Sequence, residues 1–275
     1  MGYVKPEAVV ENMIQAGAYK ASLSAKDLLI RGFLAGSLLG YAVTVAFSAI
    51  AQSDMRIVGS LVFPLGFVMI VLLGLELVTG NFALVPLAVL EKKTTFGRML
   101  YNWFWVYIGH IFGTFFYGFL FYIAATKMGA VPEPVVGKMI AKVAEANTLG
   151  YAKLGFVDGW TVAIVKAILC NWMVTIGAVM AMVAQHVIGK IAAMWFPILT
   201  FFALGFEHAV VNMFLMPTGM LFGADITLYD WWFWNQIPVT IGNLIAGFTL
   251  TGMGLYLTHR KKEVEETAEA VKKVA

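Results

Sequence analysis

Few ionisable side chains fall deep inside the long apolar runs of this chain: Glu76, Glu207, His208, His110 and Lys166. Removing a charge from water is costly unless it is paired, so each of these residues needs a partner or a task. Two of them occupy matching strings. G-L-E-L-V-T-G-N-F-A-L-V-P runs from Gly74 to Pro86, and G-F-E-H-A-V-V-N-M-F-L-M-P runs from Gly205 to Pro217. A polar cluster followed by a proline interrupts a helix, and a carboxylate there can accept bonds from backbone N–H groups that the interruption frees. Glu76 and Glu207 are therefore read first as anchors of two breaks, with Asn81 and Asn212 closing the same loops.

His208 is different, because its counterpart in the first string is the apolar Leu77. The one place where the symmetry fails is a group that changes charge near neutral pH and can donate to, or protonate, a passing weak acid. Thr79 and Asn171 are uncharged polar groups at the depth needed to bond either His208 or a substrate. His110 sits beside Gly109 and Gly113 and reads as a packing residue. Lys166 and Arg31 lie about one turn from their helix ends, where snorkelling to headgroups is expected. Phe63 and Phe201 stand before the two breaks, and spacing alone leaves open whether they face lipid or narrow a path. Lys153, just before the fourth apolar run, is placed to attract anions.

The elements that must carry these residues follow from composition. The 275-residue chain is 60% hydrophobic and 13% charged, with a mean hydropathy of +0.81. A soluble domain carries roughly a quarter charged residues. About 20 apolar residues cross a hydrocarbon core as a helix. Six runs qualify, at about 28–50, 58–90, 99–125, 157–186, 191–222 and 233–258, and the second and fifth are too long for one straight helix. Lys and Arg set the orientation. If the N-terminus is cytoplasmic, thirteen fall on that side, among them Lys92, Lys93, Arg98, Arg260, Lys261, Lys262, Lys272 and Lys273. Only Arg56, Lys127, Lys138, Lys142 and Lys153 fall opposite. Both termini are thus expected in the cytoplasm, with no signal peptide. Residues 1–27 form an amphipathic cytoplasmic segment and 259–275 a solvated tail. The single Cys170 excludes an internal disulfide and a cysteine metal cluster. No metal, cofactor or nucleic-acid partner is implied, and an enzyme reading lacks an activated nucleophile or nucleotide loop.

The runs also repeat. The two broken strings lie 131 residues apart (205 minus 74). Ile30–Gly36 aligns with Val165–Asn171 at 135, pairing Arg31 with Lys166. Asn102, Ile108 and Gly109 align with Asn235, Ile241 and Gly242 at 133. Three spans per unit place repeats 28–125 and 157–258 in opposite orientations. Inverted repeats with breaks at corresponding places point to a substrate path near the midplane. Irregular backbone at that depth is tolerated only where protein or a water-filled cavity satisfies it.

E-L-V-T-G-N, L-C-N-W-M-V at 169–174, G-F-E-H-A-V-V-N-M-F at 205–214 and N-Q-I-P-V-T-I-G-N at 235–243 closely resemble the formate/nitrite transporter family, over roughly residues 5–260. The resemblance implies an all-α polytopic membrane protein: an aquaporin-like fold of six transmembrane helices in an inverted 3+3 repeat. It also implies a homopentamer with one pore per subunit in the inner (plasma) membrane. By the same resemblance His208 is the central pore histidine, Thr79 and Asn171 are its polar neighbours, and Leu77 lines the inner constriction. Phe63 and Phe201 then fall at the outer constriction and Phe67 and Val174 at the inner one. Lys153 is the vestibule lysine, standing 18 positions before Asn171 (171 minus 153), which implies a small insertion.

The expected function is passive or proton-coupled transport of formate. A basic vestibule attracts the anion, and His208, or a water relayed through it, supplies a proton. The neutral acid then crosses the apolar slit. Nitrite or hydrosulfide on the same fold is the near alternative, and a channel for water or ammonia the remote one.

Overall fold

The computed structural model describes residues 2–260; the charged tail read beyond Arg260 lies outside the described residues. Every regular element in it is helical. Among the described residues four helices are long and apolar enough to cross a membrane. They are α2 (Ala25–Ser53), α6 (Phe96–Thr126), α9 (Phe156–Val183) and the continuous run Leu228–His259. That last run consists of α12 (Leu228–Trp231), α13 (Ile237–Ile245) and α14 (Gly254–His259), joined by π-helical stretches Trp232–Gln236 and Ala246–Met253. Small residues let these helices approach closely. A Cβ on Gly109 would come within 2.6 Å of the Leu29 carbonyl, and one on Gly242 within 2.5 Å of the Ile164 carbonyl.

The second and fifth apolar runs are each split into shorter helices. The second comprises α3 (Arg56–Val62), α4 (Pro64–Leu72) and α5 (Val78–Leu90). The fifth comprises α10 (Val187–Ala203) and α11 (Ala209–Leu221). Glycine makes the two breaks. Gly74 and Gly205 have φ of +64° and +66°, a left-handed conformation that costs little only without a Cβ. Each closes its helix with the same pair of bonds: Leu75 N–H to Ile70 O and Gly74 N–H to Val71 O, Phe206 N–H to Phe201 O and Gly205 N–H to Phe202 O. That is the Schellman arrangement, which uses up two orphan carbonyls. The prolines do not make the breaks, contrary to the sequence reading, because Pro86 and Pro217 lie inside α5 and α11.

Two further elements differ from expectation. In the N-terminal segment read as amphipathic, the helix α1 (Pro6–Ser22) forms, and its apolar face is buried against protein. Val9, Val10, Met13 and Ile14 are all covered, packed with Leu84 and Leu87 of α5. The connection at 126–156, for which no element was expected, holds α7 (Val135–Ala146) and the short α8 (Leu149–Ala152). Just as α1 packs on α5, α7 packs on α11.

Candidate functional site

The two breaks are tied by the same bonds at matching positions. Asn81 Nδ2 donates to Glu76 Oε2 (2.7 Å) and Asn102 Oδ1 (2.9 Å). Asn212 Nδ2 donates to Glu207 Oε2 (2.8 Å) and Asn235 Oδ1 (2.8 Å). Each carboxylate finds its donors on side chains. Glu76 takes Lys20 Nζ of α1 at 2.9 Å, and Glu207 takes the Tyr151 hydroxyl at 2.5 Å and Asn235 Nδ2 at 3.2 Å. The freed backbone amides go elsewhere than the sequence suggested. Val78 N–H donates to His110 Nε2 (3.1 Å), and Ala209 N–H donates to Asn243 Oδ1 (2.9 Å). His110 Nδ1 is in turn 2.8 Å from the Gly32 carbonyl, as Asn243 Nδ2 is 2.9 Å from that of Ala167. His110 thus does at its break what Asn243 does at the other.

Lys166 turns inward instead of snorkelling. Its Nζ donates to the Tyr151 hydroxyl at 3.2 Å and lies 3.6 Å from Glu207. Among the described residues its repeat partner Arg31 donates to the Tyr19 hydroxyl alone, at 3.3 Å. Tyr151 and the Lys166 pairing were missed from sequence. No repeat signal pointed to the tyrosine: Asn102 bonds the Lys20 carbonyl where Asn235 bonds that of Asn147, which sets Tyr19 against Ala146 rather than Tyr151.

His208 is the N-cap residue of α11, and its Nδ1 accepts the Val211 N–H at 3.2 Å. A ring nitrogen that accepts has no proton of its own, so the hydrogen of the neutral ring belongs on Nε2. Nε2 is 3.0 Å from Thr79 Oγ1. The ring therefore donates to Thr79, which leaves the threonine hydroxyl hydrogen available for another acceptor. Asn171 Nδ2 donates to the Thr79 carbonyl (3.1 Å) and the Asn243 carbonyl (2.6 Å). With its amide held by two carbonyls, Asn171 cannot be flipped without setting oxygen against oxygen. One polar centre is thus assembled from α5, α9, α11 and α13.

Aromatic walls stand against it. Phe201 stacks on the His208 ring at 5.8 Å, and Phe63 meets Phe201 edge-on at 5.6 Å. Neither faces lipid, since both are fully buried. Phe67, Leu77 and Val174 are buried in the same apolar cluster as that pair. Lys153 is exposed and caps the end of α8, on the element that follows α7.

The formate/nitrite transporter family model matches residues 7–257. The chain belongs to the formate/nitrite transporter family. It is a multi-pass membrane protein of that transporter family. Among relatives, an uncharacterised transporter, YrhG, of Bacillus subtilis is 32% identical over 96% of each chain. The formate channel BtFdhC of Bacillus thuringiensis is 30% identical over 95% of this chain and 98% of the relative. Among solved structures, an ion channel of the same family superposes with a TM-score of 0.78 at 24% identity, covering 91% of this chain and 98% of that one. A pentameric formate channel with formate bound gives a TM-score of 0.70 at 24% identity, over 85% and 96%. At that identity the likeness speaks for the fold.

Proposed function

We propose that this member of the family carries formate across the membrane, one pathway per subunit, with the anion neutralised beside His208. The observation that carries the reading is the His208–Thr79 pair: a polar, buried donor system at a helix break, walled by Phe201 and Phe63. The relatives named as formate channels support the substrate. The split helices support six crossings in all, α3–α4 with α5 forming the second and α10 with α11 the fifth. The matched bonds around Glu76 and Glu207 support an inverted 3+3 repeat. The excess of Lys and Arg on one side supports cytoplasmic termini and residence in the inner membrane. The pentameric solved relative supports a homopentamer.

The chemistry follows from desolvation. A naked carboxylate entering an apolar slit loses many kcal/mol of hydration, so it neutralises instead. Lys153 raises the anion concentration at the outer mouth by charge. Phe63 with Phe201, and Phe67 with Leu77 and Val174, are the outer and inner narrowings that exclude water and cations. Between them the Thr79 hydroxyl can donate to the anion while His208 Nε2–H donates to Thr79. Handing over the Nε2 proton directly would leave an imidazolate. Charging the ring would require Nδ1 to release the Val211 N–H. Of the two proton sources considered, this geometry favours water, whose proton reaches the anion through the Thr79 hydroxyl while the imidazole keeps its Nε2 proton and holds that hydroxyl.

Uptake into proteoliposomes, with formate, nitrite and hydrosulfide compared with and without an imposed pH gradient, tests the reading. Formate flux should dominate and respond to the gradient. His208→Phe removes the donor that orients the Thr79 hydroxyl toward the anion, a bond to a charged group worth about 1.5–3 kcal/mol, so flux should fall roughly ten- to hundredfold. Unchanged rate and pH dependence in that variant would sink the mechanism. Dominance of another anion would leave the family assignment and overturn the substrate.

A further inference from the structure

The repeat extends into the helices that precede each half. Residues 127 apart in α1 and in the α7–α8 segment occupy the same places (137 minus 10, and so on along the helix). Val10, Met13, Ile14, Gly17 and Ala21 answer Gly137, Ile140, Ala141, Ala144 and Thr148, and every one of the ten is buried. The carbonyl bonds follow the same register. Asn102 Nδ2 donates to Lys20 O and Asn235 Nδ2 to Asn147 O, both at 2.9 Å, and 147 minus 20 is again 127. Where the two halves differ is in the group that holds the carboxylate. Inside, Glu76 is paired with a cation, Lys20. At the other break, Glu207 is held by a phenol, Tyr151, with Lys166 further off at 3.6 Å.

We propose that Tyr151 is a positioning residue of the transport pathway. As the polar hand of the α7–α8 segment, it fixes Glu207 and thereby the break that presents His208. The proposal rests on the transport reading above. The chain of contacts is short. The Tyr151 hydroxyl holds Glu207 Oε1, and Oε2 takes Asn212 and Asn235. The Glu207 carbonyl takes Asn243 Nδ2 at 3.0 Å, and the adjoining Ala209 N–H goes to Asn243 Oδ1. His208 stands between these two fixed backbone groups. Tyr151 itself is 5% exposed, and its ring packs with Ala163, Ala167, Ala209 and Val239. Phenylalanine can therefore keep the packing while losing the hydroxyl. Without that donor the carboxylate keeps its amide bonds and the Lys166 ammonium at 3.6 Å, and its shortest bond, the one that fixes its orientation, is gone.

The test compares wild type, Tyr151→Phe, Glu207→Gln and the double variant, as full chains in proteoliposomes, with formate flux measured from pH 5 to 8 per mass of folded protein. Amide hydrogen exchange is measured in parallel at residues 78–81 and 209–212. Tyr151→Phe should lower flux about tenfold, the loss of one bond to a charged group, and change the pH profile. It should speed exchange at 209–212 and leave 78–81 unaltered. In the Glu207→Gln background the same change should add little, because the two act as one unit. Unaltered flux, pH profile and exchange overturn the proposal, and so does an equal further loss in the Glu207→Gln background. A wild type that moves no formate fails the transport reading alone, and exchange at 209–212 still decides the role of Tyr151.

Discussion

Both nitrogens of His110 are committed to backbone: Nε2 to the Val78 N–H and Nδ1 to the Gly32 carbonyl. The residue is fully buried, so deleting the ring would orphan one donor and one acceptor where water is scarce. Each buried orphan costs about 1–3 kcal/mol. His110→Ala should therefore destabilise the protein by about 2–4 kcal/mol, read as a drop in the unfolding midpoint in detergent. His110→Asn should recover most of that loss, since Asn243 performs both bonds at the equivalent place with an amide. Equal losses in the two variants would show that ring volume, not bonding, is what position 110 supplies. The contrast with His208 is instructive. That ring spends one nitrogen on backbone and the other on a hydroxyl, which keeps half of its bonding capacity in a polar centre rather than in the scaffold.

At the scale of elements, α1 is fastened at several points. Arg98 of α6 donates to the Ala21 and Leu23 carbonyls at 2.8 and 2.9 Å. Arg260 reaches Glu11 at 2.7 Å and both oxygens of Glu91 at 3.0 Å. Glu91 ends α5, so this one arginine joins α1, the second apolar run and the chain after α14. Its fork and the Tyr256 hydroxyl hold the Glu91 carboxyl below its ordinary value of 4.5. A carboxyl lowered on folding contributes stability that is present above that ordinary value and lost as pH falls through the folded one. Glu91→Gln should thus cost up to about 1 kcal/mol at pH 7, the scale of a partly exposed pair. The gap from wild type should close below about pH 4.5. Unfolding midpoints of both proteins across pH 3.5–7.5 check this, and a gap that persists in acid would refute the ion-pair account.

How much of this could be read beforehand depended on period and pairing. Long apolar runs announce helices because backbone in lipid must bond to itself. The matched strings at Gly74 and Gly205 announced breaks because glycine, glutamate and asparagine recur at one offset. Their internal wiring was less legible. A carboxylate beside a break could have taken backbone amides or side chains, and only packing decides that Asn81 and Asn212 get there first. The α7 helix was hidden because its buried face is built of small residues, Gly137, Ala141 and Ala144 around Ile140, which give weak hydropathic contrast. Tyr151 drew no notice in the sequence, because only the fold sets its hydroxyl beside Glu207.

For the whole molecule, the question is whether transport belongs to the subunit or to the assembly. His208, Thr79, Asn171, Phe201 and Phe63 are buried within a single chain, and every bond in their polar centre is made inside it. The outer surface is different. Phe112, Phe115, Phe116, Phe119 and Leu120 of α6 are exposed, an apolar stripe fit for lipid or for a neighbouring copy. On the transport reading proposed above, a site enclosed by one chain and an apolar exterior available for contact lead to the expectation that assembly serves stability while each copy conducts alone. Mixed assemblies of wild type and His208→Phe in stated ratios decide this. If each copy has its own path, flux should fall linearly with the fraction of variant. A shared central path would need every copy intact, and flux would collapse when only a minority of subunits carried the change. The linear result, together with copies that remain associated in mild detergent, is the expected outcome.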